Sequence, residues 1–453
     1  MGKATRLLCL SPQSRPASFV TMRKLLIFCI FFAVSCSTNP VTQKKELSFW
    51  SEQDEIKMGE SNYGPFIQSY NGVYSQAEVQ SYVREVGQKL AKLSHRPNIP
   101  YEFTVVNSSV INAFALPGGK IVITRGLLDR FTNESQLAAV LGHEIGHVTA
   151  KHGINRMAKE WLFQNLYVYG DMLAYHKSPH YKKYRNYYTT AGQLGLKFGF
   201  LAYSRSQEAQ SDELGLDYMV KAGYHPQGMV ELQQIFLSMQ KTQPTLMDEL
   251  SSTHPLAPDR VEAAQKAIET KYQEAIKTQK LITTSDKFPK IAAFLKKDSI
   301  AYAFYDKAST YAAQGQWPHA LLFYKQASDL KPEEALFQAD LGSAFTSVKN
   351  YRQGEEALQK AISLNPQLFK AQYFMGHLQY LKGNHQEAIS HLLRARQLLP
   401  FSSLVSYMLA DSYEKMGVKE QAIINYHDVL KLSPEGELNH IAAQGLQHLG
   451  AQP

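Results

Sequence analysis

Pro332, Pro366, Pro400 and Pro434 follow one another at 34-residue intervals. A fixed period of that length restricts the C-terminal third to stacked copies of one small unit. The small residues keep the same step. Ala308, Gly342, Gly376 and Ala410 recur at one position, and Ala320, Gly354, Ala388 and Ala422 at another. A third set, Ala327, Ala361 and Ala395, ends in the larger Val429. Such positions mark where neighbouring helices approach closely and a large side chain would push them apart. Tyr311, Phe345 and Tyr413, with Tyr324 and Tyr426, are placed to fill the wider gaps.

A helix pair of this length is the tetratricopeptide (TPR) repeat. The period predicts four repeats at 301–334, 335–368, 369–402 and 403–436, with a capping helix over 437–453. An array of this kind is an all-α solenoid with a concave surface for a protein partner or client, and it carries no chemistry of its own. At 453 residues the chain is longer than one comfortable domain, so a second is expected before the repeats.

That second part announces its chemistry in His143-Glu144-Ile145-Gly146-His147. The preceding Ser135-Gln136-Leu137-Ala138-Ala139-Val140-Leu141-Gly142 is helix-forming and apolar, so the motif sits on a helix. Two histidines four apart share one helix face and can offer two imidazoles to one tetrahedral Zn²⁺. Glu144, beside the first, is placed to work on a water without binding the metal. The metzincin arrangement would need Gly and His three and six residues after His147; Ala150 and Gly153 stand there. The third ligand is sought in Ser204–Asp217, which holds two carboxylate pairs, Glu208/Asp212 and Glu213/Asp217. Five residues on a helix is about 140° of rotation, so both pairs cannot face one metal. The stripe through Glu208 and Asp212 continues into Gly215, Met219 and Ala222, as a packed face would. Glu208 is the predicted third ligand, and Asp212 the acceptor that orients a ligating histidine.

Four stretches occur in one order: Asn112-Ala113-Phe114-Ala115-Leu116-Pro117-Gly118-Gly119; the HExxH; Ser204-Arg205 with Glu208 and Asp212; and Thr253-His254-Pro255 followed by Arg260. Over residues 40–275 they resemble the zinc metallopeptidase family that includes the CAAX prenyl endopeptidase, in its soluble, bacterial, TPR-bearing branch. The resemblance implies an α+β fold, a mostly helical zincin-type domain over 36–275 with a small β-sheet, followed by the TPR solenoid. It also implies a zinc metalloendopeptidase of gluzincin type, one Zn²⁺ per chain, with His143, His147 and Glu208 as ligands and Glu144 as the catalytic glutamate. The expected role is quality control in the bacterial cell envelope, on unfolded or misassembled polypeptides recruited through the repeats. The other reading is a chaperone or assembly adaptor whose proteolysis is latent. The Tyr-rich connection over 163–200 departs from the family's pattern and leaves lid and substrate access open.

Two of three further features keep two readings each. His254 is a turn residue before the helix start at Pro258, or a regulatory fourth ligand that closes the site. Arg260 is read as a substrate or transition-state contact. Asn112, Ala113, Phe114 and Ala115 form an ordinary hairpin or an edge strand that holds an extended substrate by strand addition. Strands are predicted at Tyr101–Val106 and Gly119–Thr124, a helix at Gln76–Leu93, and a connecting segment at 276–300. His152 and His225 have no partner at metal-ligand spacing and are read as structural.

The N-terminus sets the compartment. Met22-Arg23-Lys24 and the apolar run Leu25–Val34 read as a signal peptide within a leader over 1–35, with Met22 the more natural start. Ala33-Val34-Ser35-Cys36 looks like a bacterial lipobox that would acylate Cys36 and anchor the protein to a membrane; ordinary cleavage nearby is the alternative. Ser37 then favours the outer membrane, facing the periplasm. Cys9, Cys29 and Cys36 are the only cysteines, so the folded part is expected without a disulfide. Residues 1–35 carry five basic residues and no acid, so the net charge of +8 falls to +3 without them. That weak charge and the leader argue against a nucleic-acid partner for the basic, aromatic stretch Tyr181–Tyr188.

Overall fold

The computed structural model of the protein describes residues 36–159 and 202–453. The expected leader and the Tyr-rich connection, with Tyr181–Tyr188, lie outside the described residues. The chain opens with a hairpin, β1 (Cys36–Thr38) antiparallel to β2 (Lys45–Leu47). Two helices follow, α1 (Glu52–Ser69), with a Ser51/Asp54 capping box, and α2 (Ala77–Ala91).

A three-stranded sheet comes next. β3 (Glu102–Val106) lies parallel to β5 (Lys120–Thr124), and β4 (Ala113–Leu116) lies antiparallel to β5, in the order β3-β5-β4. The segment from Asn112 is therefore both a hairpin arm and a sheet edge; the two readings do not exclude each other. Pro117-Gly118-Gly119 makes the turn, with φ of 68° at Gly118 and 78° at Gly119. A Cβ on Gly118 would also meet Ile56 Cα at 2.7 Å, so this turn requires glycine twice over.

α3 (Glu134–Thr149) carries the HExxH and is buried along its whole length. Asn133 caps it, its Oδ1 accepting from Gln136 N. Leu137, Leu141, Ile145 and Val148 form one apolar stripe of the helix, each worth about 1.5–3 kcal/mol of burial. Four helices pack around it and its neighbours: α4 (Arg205–Lys221), α5 (Gln227–Thr242), α6 (Pro244–Thr253) and α7 (Pro258–Lys271).

The C-terminal part is a run of helix pairs: α8 (Phe288–Ala313) with α9 (Trp317–Leu330), α10 (Ala335–Ser347) with α11 (Tyr351–Leu364), α12 (Phe369–Leu381) with α13 (His385–Leu398), and α14 (Ser403–Lys415) with α15 (Lys419–Leu432). α16 (Glu437–His448) closes the array. The periodic small residues lie where the helices meet. A Cβ on Gly342 would stand 2.5 Å from Leu358 Cγ, and one on Gly376 2.8 Å from Leu392 Cγ.

One difference from the sequence reading concerns the connection at 276–300. The first helix of the array starts at Phe288, not near residue 301. Its extra turns are held by burial of Phe288, Ile291 and Leu295 in a core shared with α2, where Phe288 packs on Tyr82 with ring centroids 6.5 Å apart. That core runs without interruption from α2 and the sheet to α12, so the array is packed against the α/β part along its first pairs.

Candidate metal centre

α3 supplies His143, Glu144 and His147, α4 supplies Glu208 and Asp212, and the end of α6 supplies His254. Missing side chains let α3 and α4 come together. A Cβ on Gly142 would stand 3.1 Å from Gly215 O, and one on Gly146 3.0 Å from Ser211 Cα. A larger residue at Gly146 would push α4 away and take Glu208 with it.

The ligand atoms meet at one point. His143 Nε2 and His147 Nε2 are 3.0 Å apart, and Glu208 Oε1 is 3.2 Å from His147 Nε2. Glu208 Oε2 is 3.6 Å from His143 Nε2. His254 Nδ1 lies 3.4 Å from His143 Nε2 and 3.1 Å from Glu208 Oε1. All four residues are buried, with ligand atoms within 4.8 Å of one another, and they form one metal-capable cluster among the described residues. Donors about 2.0–2.1 Å from a tetrahedral zinc stand about 3.3–3.4 Å apart, and the observed separations bracket that edge.

The donor chemistry agrees. His143 Nδ1 is 2.9 Å from Asp212 Oδ1. An ionised carboxylate only accepts, so Nδ1 carries the hydrogen and Nε2 keeps a lone pair. Lone pairs of an imidazole and a buried carboxylate then face each other, which is costly unless a cation lies among them. The residues fit a zinc ion. Glu144 stands beside them, Oε1 3.8 Å from His254 Nε2, with Oε2 buried and without a hydrogen-bond partner among the described residues.

Burial and charge divide the protons. Burial raises the Glu144 carboxyl above its ordinary value, against the pull of His254 and His143. Burial would raise Glu208 too, but the adjacent His254 and His143 hold it well below the usual range. Burial lowers His147 well below its ordinary value. Burial opposes the charged form of His254, yet Glu208 and Glu144 beside it hold it above its ordinary value.

Arg260 reaches the Glu208 and Asp212 carboxylates of α4. Its Nε and Nη2 donate to Asp212 Oδ2 and Oδ1 at 2.7 and 2.8 Å, and Nη1 donates to Glu208 Oε2 at 2.6 Å. Nη1 also reaches Pro255 O at 3.2 Å. Its guanidinium is committed to holding Glu208 and Asp212 in place. Three residues escaped sequence reasoning. The Tyr203 ring stacks on His147 at 3.7 Å between centroids, and His152 with Gln210 lies behind the same imidazole. Tyr203 and Gln210 gave no signal at metal-ligand spacing; His152 was visible only as an isolated histidine.

The edge strand is tied to the same region. Asn112 Nδ2 donates to Glu249 Oε1 at 3.1 Å, and Tyr70 OH donates to that oxygen at 2.5 Å. Glu249 belongs to α6, the helix that ends at His254. Cys36 opens β1, and among the described residues no helix is long and apolar enough to cross a membrane.

Comparison with known proteins gives the family. Residues 77–268 match the family model of Peptidase family M48. These residues form an M48 peptidase domain. Residues 337–368 and 405–435 match the tetratricopeptide repeat. Among relatives of the M48 domain, the beta-barrel assembly-enhancing protease of Yersinia pestis is 30% identical over 225 residues, covering 48% of this chain and 44% of that one. The protein of that name from Escherichia coli K12 is 28% identical over 238 residues, covering 52% and 48%. The mitochondrial metalloendopeptidase OMA1 of Arabidopsis thaliana is 32% identical over 171 residues, covering 36% and 31%. This chain thus spans less than half the length of each of these relatives.

Proposed function

We propose that the chain is a zinc-dependent endopeptidase of the bacterial cell envelope, acting in quality control on unfolded or misassembled polypeptides recruited by its TPR array. The observation that carries this is the convergence of His143, His147 and Glu208 beside Glu144, whose Oε2 has no hydrogen-bond partner among the described residues. His143, His147 and Glu208 hold the zinc, and Asp212 orients His143. When bound, the zinc supplies positive charge that polarises a scissile carbonyl and makes a water more acidic. Glu144 takes the proton from the attacking water and delivers it to the leaving amine as the C–N bond breaks. Arg260 keeps Glu208 aimed. β4, at the sheet edge, offers backbone groups to an extended polypeptide. Acylation of Cys36 would anchor the protein to the outer membrane, with the site in the periplasm.

His254 supports a closed resting state. Its Nδ1 lies within ligand distance of the same point, whereas a catalytic zinc needs an open position. The same closure favours a second reading, in which the protein works mainly as a chaperone or assembly adaptor with latent proteolysis. Cleavage of an unfolded protein tests both readings. Glu144→Gln should retain zinc and lose about 10²–10⁴-fold in rate, and His254→Ala should retain zinc and cleave faster. Cleavage by the Glu144→Gln protein at the wild-type rate would remove the peptidase reading. A His254→Ala protein slower than wild type would remove the plug.

A further inference from the structure

We propose that His152 is a positioning residue for this zinc site: with Gln210 behind it, it holds His147 in the tautomer whose Nε2 lone pair faces Glu208 and His143. The inference rests on the metal reading above and explains how the second histidine of the motif is made ready for it.

The hydrogens can be traced from the outside in. His152 Nε2 lies 2.9 Å from Gln210 Oε1. An amide oxygen only accepts, so Nε2 carries the hydrogen and Nδ1 of the neutral ring is an acceptor. His147 Nδ1 lies 3.0 Å from that Nδ1, and Ser211 Oγ lies 3.3 Å from it. His147 Nδ1 therefore donates, and its lone pair is left on Nε2, facing the other ligands. With Gln210 turned to present its amide nitrogen, every hydrogen in the chain would move. His152 Nδ1 would donate, His147 Nδ1 would accept, and an N–H would point into the ligand set. The orientation of one amide sets which tautomer of His147 is favoured.

The backbone is bent to make this contact. α3 ends at Thr149 with Ala150 as its C-cap, and Lys151 adopts φ of 57°, a left-handed conformation uncommon outside glycine. The reversal brings His152, five residues after His147, back over that ring with centroids 5.0 Å apart. Asn39 Nδ2 holds the corner from the N-terminal hairpin, donating to Ala150 O at 2.9 Å. The two motif histidines are thus oriented differently. His143 has the Asp212 carboxylate behind it, and His147 has a neutral ring that fixes the tautomer without adding a second anion.

The test is made on full-length protein with nitrogen-15 in its histidines. In the metal-free protein, long-range proton–nitrogen spectra should show His147 as the Nδ1–H tautomer, its signals assigned by their loss in His147→Gln. His152→Phe keeps ring bulk and removes the acceptor, and should weaken zinc affinity, measured by chelator competition, about 10–100-fold. His152→Gln returns an acceptor oxygen and should recover most of that loss, which a purely structural role would not predict. Should His152→Phe fail to fold, Gln210→Leu takes its place and should shift the His147 spectrum towards Nε2–H. A wild-type His147 in the Nε2–H form overturns the proposal, as does unchanged zinc affinity in folded His152→Phe. A wild-type protein that takes up no zinc would sink the metal reading instead, and the tautomer spectrum would still decide the role of His152.

Discussion

Two of the clusters of buried charge among the described residues are built on opposite plans. Where the first repeat meets the α/β part, Asp298, Lys331 and Glu334 are buried together. Asp298 Oδ2 accepts from Tyr74, Gln76 and Lys331. Glu334 Oε2 accepts from Ser75 and Tyr302, and its Oε1 from Asn107. Arg125 lies over the Tyr302 ring at 3.6 Å. These carboxylates are answered by donors of the chain itself. At the metal centre Glu208 has Arg260 and His254 beside it, yet the Nε2 lone pairs of His143 and His147 face its carboxylate, and Glu144 Oε2 has no hydrogen-bond partner among the described residues. A buried charge that its neighbours satisfy is structure. Buried acceptors that converge on one point are incomplete without a cation, and that is how the two can be told apart.

The contrast breaks most sharply if the cation of the saturated cluster is removed. Lys331→Met leaves two buried carboxylates without their ammonium, which should cost about 3–5 kcal/mol in denaturant unfolding. Zinc affinity should stay at the wild-type level. A parallel fall in zinc affinity would mean that the two clusters are coupled through the shared core, and the comparison would have to be redrawn.

A charge removed at the metal centre should act in the other currency. Asp212→Asn keeps the shape of the side chain but weakens the acceptor behind His143 and the partner of Arg260. Zinc affinity should fall about 10–100-fold, measured by chelator competition, while the fold is retained. Unchanged affinity would show that Arg260 and the packing of α3 on α4 suffice to aim His143.

How much of this was legible depended on whether the information was periodic. The helix spacing alone made Glu208 and Asp212 the inward pair, because both lie on the stripe with Gly215, which packs at Gly142. The repeats were legible for the same reason. Arg260 was visible as a residue but not as a clamp, since its acceptors lie 48 and 52 residues away in the chain. His152 was passed over because it lies beyond the end of α3. Only the left-handed turn at Lys151 returns it to His147, and a lysine does not advertise such a turn. The start of α8 at Phe288 was hidden because its first turns pack on α2 rather than on a neighbouring repeat.

The smallest effects belong to the small-residue contacts of the repeats, where no charge is at stake and packing competes with helix propensity. Alanine in place of glycine inside a helix gains about 1 kcal/mol, whereas overpacking a tight contact costs about 1–3 kcal/mol. At Gly342 the added Cβ meets Leu358 Cγ at 2.5 Å and Gly354 O at 3.0 Å, so part of the obstacle is backbone that cannot turn aside. At Gly354 the nearest atoms are Thr346 Oγ1 at 2.8 Å, Leu378 Cδ1 at 3.1 Å and Gly342 O at 3.2 Å, each a longer contact than the nearest one at Gly342. Gly342→Ala should therefore destabilise in denaturant unfolding, and Gly354→Ala should destabilise less, because its closest contacts are longer. Equal losses at both sites would mean that the helices of this pair cannot adjust at all. A stabilised Gly342→Ala would mean that they separate freely, and the small-residue period would then need another cause.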